Sequence, residues 1–360
     1  MIYTDLLVVG AGPAGLSAAV AAGKLGADVL LLERSHTPGG QLVKQTHMFF
    51  GSKKQYAAHR GYEISDILME SLNAMPNARM QLNTTVLAAY EDGVWTAEAD
   101  GKYIKIKPRA VVVAAGASER SLLFPGNDLP GVYGAGAVQT LMNQYGIKPA
   151  NRVLMLGAGN IGLIVSYQLL QAGVEVAAVI EGSPHIGGYL VHAAKLRRIG
   201  VPILTSHTIK SAQGEGRVES VTTWALDEKW QGIPGTEAIW PVDTLCVSVG
   251  LSPLSELLWQ AGCKMVFVAE LGGYVPYRDA SMCTSVKSIF AAGDAAGVEE
   301  ASSAMVGGQL AGLSAAEYLG LDIPHCAKAE CLMQLEELRQ GPAGARIRAG
   351  INKSMANTTT

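Results

Sequence analysis

Apolar residues fall along this chain in two rhythms, short unbroken runs and longer stretches of helical spacing, and glycine marks most switches between them. Leu6-Leu7-Val8-Val9 runs into Gly10-Ala11-Gly12-Pro13-Ala14-Gly15, a helically spaced stretch continues to Gly26, and a second run, Val29-Leu30-Leu31-Leu32, ends in Glu33. The pattern returns 147 positions later. Val153-Leu154-Met155-Leu156 enters Gly157-Ala158-Gly159-Asn160-Ile161-Gly162, a helical stretch reaches Gly173, and Val176-Ala177-Ala178-Val179-Ile180 ends in Glu181. A Gly-Gly pair follows each acid at the same interval, Gly39-Gly40 and Gly187-Gly188. A short apolar run closed by glycine and followed by a helical period is the pattern of a strand buried on both faces of a parallel sheet. Two βαβ units in tandem are therefore predicted, an internal repeat.

Between the units, Val86 to Tyr90, Val94 to Ala99 and Tyr103 to Lys107 read as short strands, with turns at Glu91-Asp92-Gly93 and Asp100-Gly101. Val111 to Ala115 reads as a separate buried strand ending at Gly116. The sequel repeats after the second unit: strands at Val218 to Ala225 and near Ile239, then Thr244 to Val249 ending at Gly250. A last strand, Ile289 to Ala292, enters Gly293-Asp294, and a helix is predicted from about Ser302 to Leu319. The stretch from His325 is mixed, and Met355 to Thr360 is expected to fray.

The glycine turns carry the candidate chemistry. In G-x-G-x-x-G the first glycine makes the tight turn, the second lets the backbone approach a pyrophosphate, and the third admits close helix packing. The helix N-terminus then offers its free N–H groups to the phosphates. An acid about 20 residues on can receive the ribose hydroxyls, the place that Glu33 and Glu181 occupy. At the second site the acid also repels a 2′-phosphate, and no arginine stands in Gly182-Ser183-Pro184-His185, so NADH is expected over NADPH.

Composition narrows the class further. Among 360 residues, 28 Lys+Arg against 31 Asp+Glu leave a formal charge of −3, which offers no basic face to a nucleic acid. A 49% hydrophobic and 16% charged content supports packed cores and excludes global disorder, and the length fits two domains. Met1 to Asp5 has no basic n-region, and glycines interrupt both the first apolar run and the uncharged stretch Val153 to Val174, so neither a signal peptide nor a membrane span is expected. Cys246, Cys263, Cys283, Cys326 and Cys331 have no CxxC spacing, and reduced cytoplasmic thiols are expected.

With these motifs in place, the chain resembles the two-dinucleotide-domain flavoproteins of the thioredoxin reductase and glutathione reductase group over residues 1 to 320. The resemblance implies an α/β fold of two Rossmann-like three-layer domains, the NAD domain inserted in a split FAD domain. The expected boundaries are 1–118 and 248–325 for FAD, 119–247 for NAD(P), and a tail at 326–360. It implies FAD contacts from Gly10, Gly12, Pro13, Ala14 and Gly15, from Glu33 and Arg34, from Gly40, Gln41 and Leu42, and from Val86. Further FAD contacts are implied at Ala114-Ala115-Gly116, where alanine replaces the threonine of the family's Ala-Thr-Gly, at Gly293-Asp294 on the ribityl chain, and at Ala301 and Ser302. NAD(H) contacts are implied from Gly157, Gly159, Asn160, Ile161, Gly162, Glu181, Val249 and Gly250. A helix N-terminus near Ala301-Ser302 would favour negative charge on the reduced flavin.

The family's redox cysteines are missing. Gly131 to Thr140 stands where thioredoxin reductases carry CxxC, and Gly40-Gln41-Leu42-Val43 near the place of the glutathione reductase pair, so no disulfide relay is expected. Gly116-Ala117-Ser118-Glu119-Arg120, Phe124-Pro125-Gly126, and Leu129-Pro130-Gly131-Val132 with Gly134 to Gln139 are more similar to the flavin subunits of amine-oxidising enzymes. These are the α subunits of heteromeric sarcosine oxidase, opine and proline dehydrogenases, and hydrogen cyanide synthase. Some of them continue into an iron–sulfur module, of which Cys326 and Cys331 could be a remnant, although two unpaired thiols and no metal are expected.

Lys44 to Tyr62 gathers His47, Phe49, Phe50, Lys53, Lys54, Tyr56, His59, Arg60 and Tyr62, and is expected to line the flavin face or meet a partner, or else to be a packed loop. His47 is the one candidate proton donor. The expected function is a FAD-dependent NADH oxidoreductase passing hydride to an acceptor or partner protein that no motif names. The alternatives are a flavin subunit of a heteromeric amine or imino-acid dehydrogenase or oxidase, and a flavin-bearing redox subunit without turnover. A homodimer is the default assembly.

Overall fold

The computed structural model describes residues 1–49 and 51–355. Phe50 and residues 356–360, the greater part of the stretch expected to fray, lie outside the described residues. The described residues form two compact units, one within 1–118 and 251–355 and the other within 119–250.

In its first pass, the first unit contributes β1 (Ile2–Val9), α1 (Pro13–Lys24), β2 (Val29–Leu32), α2 (Gly61–Asn73), β3 (Ala78–Gln81), β4 (Thr84–Ala89), β5 (Trp95–Ala99) and β6 (Lys102–Val113), and the exit strand β7 (Ala117–Glu119) leads out. The second unit holds β8 (Val132–Gly134), α3 (Ala135–Asn143), β9 (Arg152–Leu156), α4 (Asn160–Gln171), β10 (Glu175–Ile180) and α5 (Leu190–Arg198). It continues through β11 (Ile203–Leu204), β12 (His207–Gln213), β13 (Ser220–Ala225), β14 (Ala238–Pro241) and β15 (Thr244–Val247). The chain re-enters the first unit with β16 (Leu251–Pro253), α6 (Glu256–Gln260), β17 (Met265–Val268), β18 (Gly273–Pro276), β19 (Ile289–Ala291), α7 (Ala301–Tyr318), α8 (Ala327–Leu338) and α9 (Gly341–Ser354).

In the first unit the strand order is β3-β2-β1-β6, with β19 parallel to the second half of β6 and the antiparallel pair β5-β4 on its first half. Alternation sorts the apolar runs onto both faces, as a parallel sheet covered on two sides requires. Leu6, Val8, Val29, Leu31 and Val112 pack beneath α1, α2 and α7, while Leu7, Val9, Leu30, Leu32 and Val113 pack with Trp95, Ile106 and Leu258. The second unit is also three-layered. Val153, Met155 and Val179 face α3, α4 and α5, and Leu154, Leu156 and Ile180 face the antiparallel β12-β13-β14 sheet.

Three expectations are corrected here. Tyr103 to Lys107 and Val111 to Ala115 belong to one 12-residue strand, β6. Lys107-Pro108-Arg109 breaks its apolar pattern because 107–110 lie between the stretch paired to β5 and the stretch paired to β19. The mixed C-terminal stretch folds as α8 and α9: Cys331 and Leu335 enter the helix-side core, and Ile347 and Ile351 pack on Val268, Leu271 and Val275. Met355, expected to fray, bridges to Arg278, whose backbone N–H donates to the Ser354 carbonyl at 3.1 Å.

Candidate functional site

Both glycine turns stand where a central strand has neighbours on both sides, at the carboxyl edge of its sheet, the place where open α/β sheets bind ligands. In the first unit, Gly10 N donates to the Leu32 carbonyl at 2.8 Å, Ala114 N to that of Val9 at 2.9 Å, and Ala292 N to that of Val113 at 3.1 Å. These ladder bonds bring the Gly10–Gly15 turn, Glu33, Ala114-Ala115-Gly116 and Gly293-Asp294 to one edge. Gly10 has φ +97°, and a Cβ there would meet the Ala114 carbonyl oxygen at 2.5 Å. A Cβ on Gly15 would lie 1.8 Å from the Gly10 carbonyl oxygen, so α1 packs against its own turn. Gly12 is different: a Cβ there meets only the Cα of Gly40, at 4.0 Å.

The second unit repeats this division of labour. A Cβ on Gly157 would meet the Ser248 carbonyl oxygen at 2.1 Å, one on Gly162 the Gly157 carbonyl oxygen at 2.0 Å, and one on Gly159 nothing within 4 Å. Packing therefore requires the first and third glycines, whereas the second opens the backbone to a ligand. The acids repeat as well. Glu33 is buried and accepts from Ala11 N at 2.7 Å through one carboxylate oxygen and from Ser35 N at 2.8 Å through the other. Glu181 accepts from Ala158 N at 2.7 Å and Ser183 N at 2.9 Å. Each acid clamps its turn and keeps lone pairs on both oxygens that can accept further hydrogen bonds. The Gly-Gly pairs dock on the same turns, Gly39 N donating to the Ala11 carbonyl at 2.7 Å and Gly188 N to that of Ala158 at 2.9 Å.

Asp294 completes the first cluster. Its surface is partly open, yet loss of solvent raises its carboxyl from 3.8 to about 6, and the Glu299 N–H, at 3.3 Å, is a long donor for it. A desolvated carboxylate with room for a stronger donor suits a polyhydroxy chain such as ribityl, so these residues fit FAD. Ala301 and Ser302 open α7, which crosses α1 so tightly that a Cβ on Gly308 would fall 2.0 Å from the Ala14 carbonyl oxygen and one on Gly312 2.3 Å from that of Ala18. These contacts fix the middle of α7 on the first half of α1.

The other expected residues are more dispersed. Arg34 and Gln41 are exposed, Leu42 is fully buried in the helix-side core, and Val86 is half-buried on β4, whose first residue Thr84 donates its N–H to the Glu33 carbonyl at 2.8 Å. Pro13 and Ala14 open α1, while Asn160 and Ile161 open α4, where Asn160 Oδ1 accepts from Tyr189 N at 2.8 Å. Val249 is half-buried, and Gly250 is exposed at φ +106°. His47 stacks on Phe49 with ring centroids 5.8 Å apart, and the sheet-edge cluster is built from other residues. Its segment closes on itself, Phe49 N donating to the His59 carbonyl, and Gln55 Nε2 reaches Gln334 of α8 at 2.5 Å.

Sequence reading missed a charged group beneath Gly293. Arg339 holds Glu299 through two parallel bonds of 2.8 and 2.7 Å, and both side chains are largely buried. Beside them Arg278 is 4% exposed, and desolvation lowers its guanidinium to about 10. No local signal joins residues 40 positions apart. Cys246, Cys263 and Cys331 are buried with raised thiols, Cys283 is half-buried, and Cys326 is exposed. Among the described residues no group of His, Cys, Asp and Glu could hold a metal, and no helix is long and apolar enough to cross a membrane.

Comparison with known proteins agrees with this geometry. An opine oxidase chain from Agrobacterium tumefaciens (strain Ach5), one of that enzyme's subunits, is 29% identical over 337 residues, covering 89% of this chain and 66% of that protein. The alpha chain of sarcosine oxidase from Rhizobium meliloti (strain 1021) is also 29% identical, over 95% of this chain and 33% of its own length. The chain thus spans about two thirds of the first relative and one third of the second. Among solved structures, thioredoxin reductase of T. acidophilum superposes with a TM-score of 0.73 at 22% identity, covering 88% of this chain and 99% of that one, a likeness of fold. The family profile described as pyridine nucleotide-disulphide oxidoreductase matches residues 4–308, and with the duplicated glycine turns it makes this chain a member of that family of FAD-binding oxidoreductases.

Proposed function

We propose that the chain is an NADH-dependent flavoprotein oxidoreductase, with FAD held by the first unit and NADH by the second. Bound FAD would supply a two-electron carrier that takes hydride from NADH and passes it to a separate acceptor. The observation that carries this reading is the repeated clamp: in each unit an open second glycine lies beside an acid that bonds the turn and still has lone pairs for ribose. Gly10 to Gly15 and the N-terminus of α1 would receive the first pyrophosphate, Glu33 its ribose, and Asp294 the ribityl hydroxyls. Gly157 to Gly162 and α4 would receive the second, with Glu181 favouring a free 2′-hydroxyl over a phosphate.

Hydride transfer depends mainly on alignment, so the chain's part is to bind, orient and exclude water. The α7 N-terminus at Ala301-Ser302 favours negative charge nearby. The buried thiols, raised away from thiolate, favour an acceptor other than a disulfide relay in this chain. The exposed free Cys326 supports a reducing, cytoplasmic setting, and a homodimer is the assembly we adopt.

Anaerobic titration of the purified flavoprotein tests the reading. One equivalent of NADH bleaches the flavin absorbance, and NADPH does so much more slowly. A bound flavin that neither nucleotide bleaches overturns it. The names of the relatives favour a second reading in that event, a flavin subunit of a heteromeric amine or imino-acid oxidase or dehydrogenase, because the opine oxidase and sarcosine oxidase relatives are themselves named as subunits. Bleaching by an amine donor only in the presence of a co-purified partner would establish that alternative.

A further inference from the structure

The loop between β13 and β14 holds one indole in an unusual position. Trp230 stands at its tip with φ +62°, a left-handed conformation that is costly for a bulky residue. Asp227 enforces it. The Asp227 carboxylate accepts from Lys229 N at 2.9 Å and Gln231 N at 2.8 Å, its carbonyl accepts from Trp230 N at 3.0 Å, and its own N–H donates to the Gln231 carbonyl at 2.9 Å. At the base of the loop, Leu226 N donates to the Ser206 carbonyl at 2.7 Å, Ser206 N to that of Ser183 at 3.0 Å, and His207 N to that of Glu181 at 3.0 Å. Backbone bonds thus tie the tip to the residues just after the ribose-site acid.

Between those residues lies Gly182. A Cβ there would come within 2.8 Å of Cζ3 of Trp230, so the six-membered ring rests on bare backbone. Trp230 nevertheless remains 63% exposed. Burial explains neither the strained backbone nor the open ring, since a large aromatic gains from a position only the contacts it makes there.

We propose that Trp230 is the stacking platform for the adenine of the nucleotide whose ribose Glu181 receives, an inference that rests on the nucleotide reading of the second unit. The base is attached to the sugar carbon next to the one that bears the 2′-hydroxyl. Hydroxyls bonded to Glu181 therefore bring the adenine to the residues that follow it, where Gly182 and the open indole stand. Because stacking reads a planar π face, the platform serves any adenosine ligand of this site, ADP-ribose included, and contributes nothing to nicotinamide mononucleotide, which has no adenine.

Calorimetry on the FAD-loaded chain with ADP-ribose and with nicotinamide mononucleotide tests this. Trp230→Ala weakens ADP-ribose binding by roughly tenfold or more and leaves nicotinamide mononucleotide unchanged, while Trp230→Phe keeps most of the affinity. Gly182→Ala, whose methyl displaces the ring, shifts ADP-ribose binding the same way with Trp230 intact. Circular dichroism shows that each variant is folded. Wild-type affinity for ADP-ribose in folded Trp230→Ala overturns the platform alone. Wild-type protein that binds neither ADP-ribose nor NADH overturns the platform and the nucleotide reading together.

Discussion

Asp294→Asn separates the role of this carboxyl in binding from its effect on stability. Loss of solvent raises the Asp294 carboxyl from 3.8 to about 6, so ionisation costs free energy in the folded, flavin-free protein. An acid whose folded pKa is raised contributes stability that is fully present below pH 3.8 and is lost as pH rises through about 6. Above that window the folded protein bears the whole penalty, about two pKa units or on the order of 3 kcal/mol. At pH 5 the folded carboxyl is mostly protonated and the penalty is about half as large. A neutral, nearly isosteric Asn avoids the penalty, so flavin-free Asp294→Asn gains stability over wild type by up to about 3 kcal/mol at pH 7.5 and about half that at pH 5. Urea denaturation of the stripped proteins at the two pH values measures the difference. Flavin retention on gel filtration measures the cost, because the Asn oxygen accepts more weakly than a carboxylate and FAD affinity falls. A gain that is equal at both pH values, or absent at pH 7.5, would refute the desolvated carboxyl.

Gly159→Ala should leave the fold intact and weaken NADH binding, whereas Gly162→Ala, whose methyl would lie 2.0 Å from the Gly157 carbonyl oxygen, should give insoluble or unfolded protein; expression and calorimetry distinguish the two. Removing Arg339 strands a largely buried Glu299, so Arg339→Ala should lose about 3–5 kcal/mol in urea denaturation, and Arg339→Lys, lacking the planar fork, should recover only part of it. Titration of the native protein with a thiol reagent should find one fast-reacting cysteine, Cys326, with the others released by denaturant; a second fast thiol would reopen a disulfide route.

The glycine turns, the strand-end acids and Gly293-Asp294 could be read in the chain because the constraints on them are local. The carbonyl close behind Gly15 belongs to Gly10 of the same motif, and the left-handed φ of Gly10 is a property of the turn itself, although the Ala114 carbonyl that also crowds Gly10 comes from a distant strand. The alternation that sends Leu6 and Val8 to one core and Leu7 and Val9 to the other is likewise written in the run itself. Long-range packing settled the rest. The Arg339 fork on Glu299 joins groups 40 residues apart, and α8 and α9 become part of the first unit only because Cys331, Leu335 and Ile351 find apolar partners supplied by distant segments. Trp230 would pass for an ordinary loop aromatic until the register of β12, β13 and β14 carries it onto Gly182, 48 positions earlier. A chain encodes its sterics in neighbouring residues, but it acquires its desolvated charges and exposed platforms only when separate segments meet, since burial depends on all of them at once.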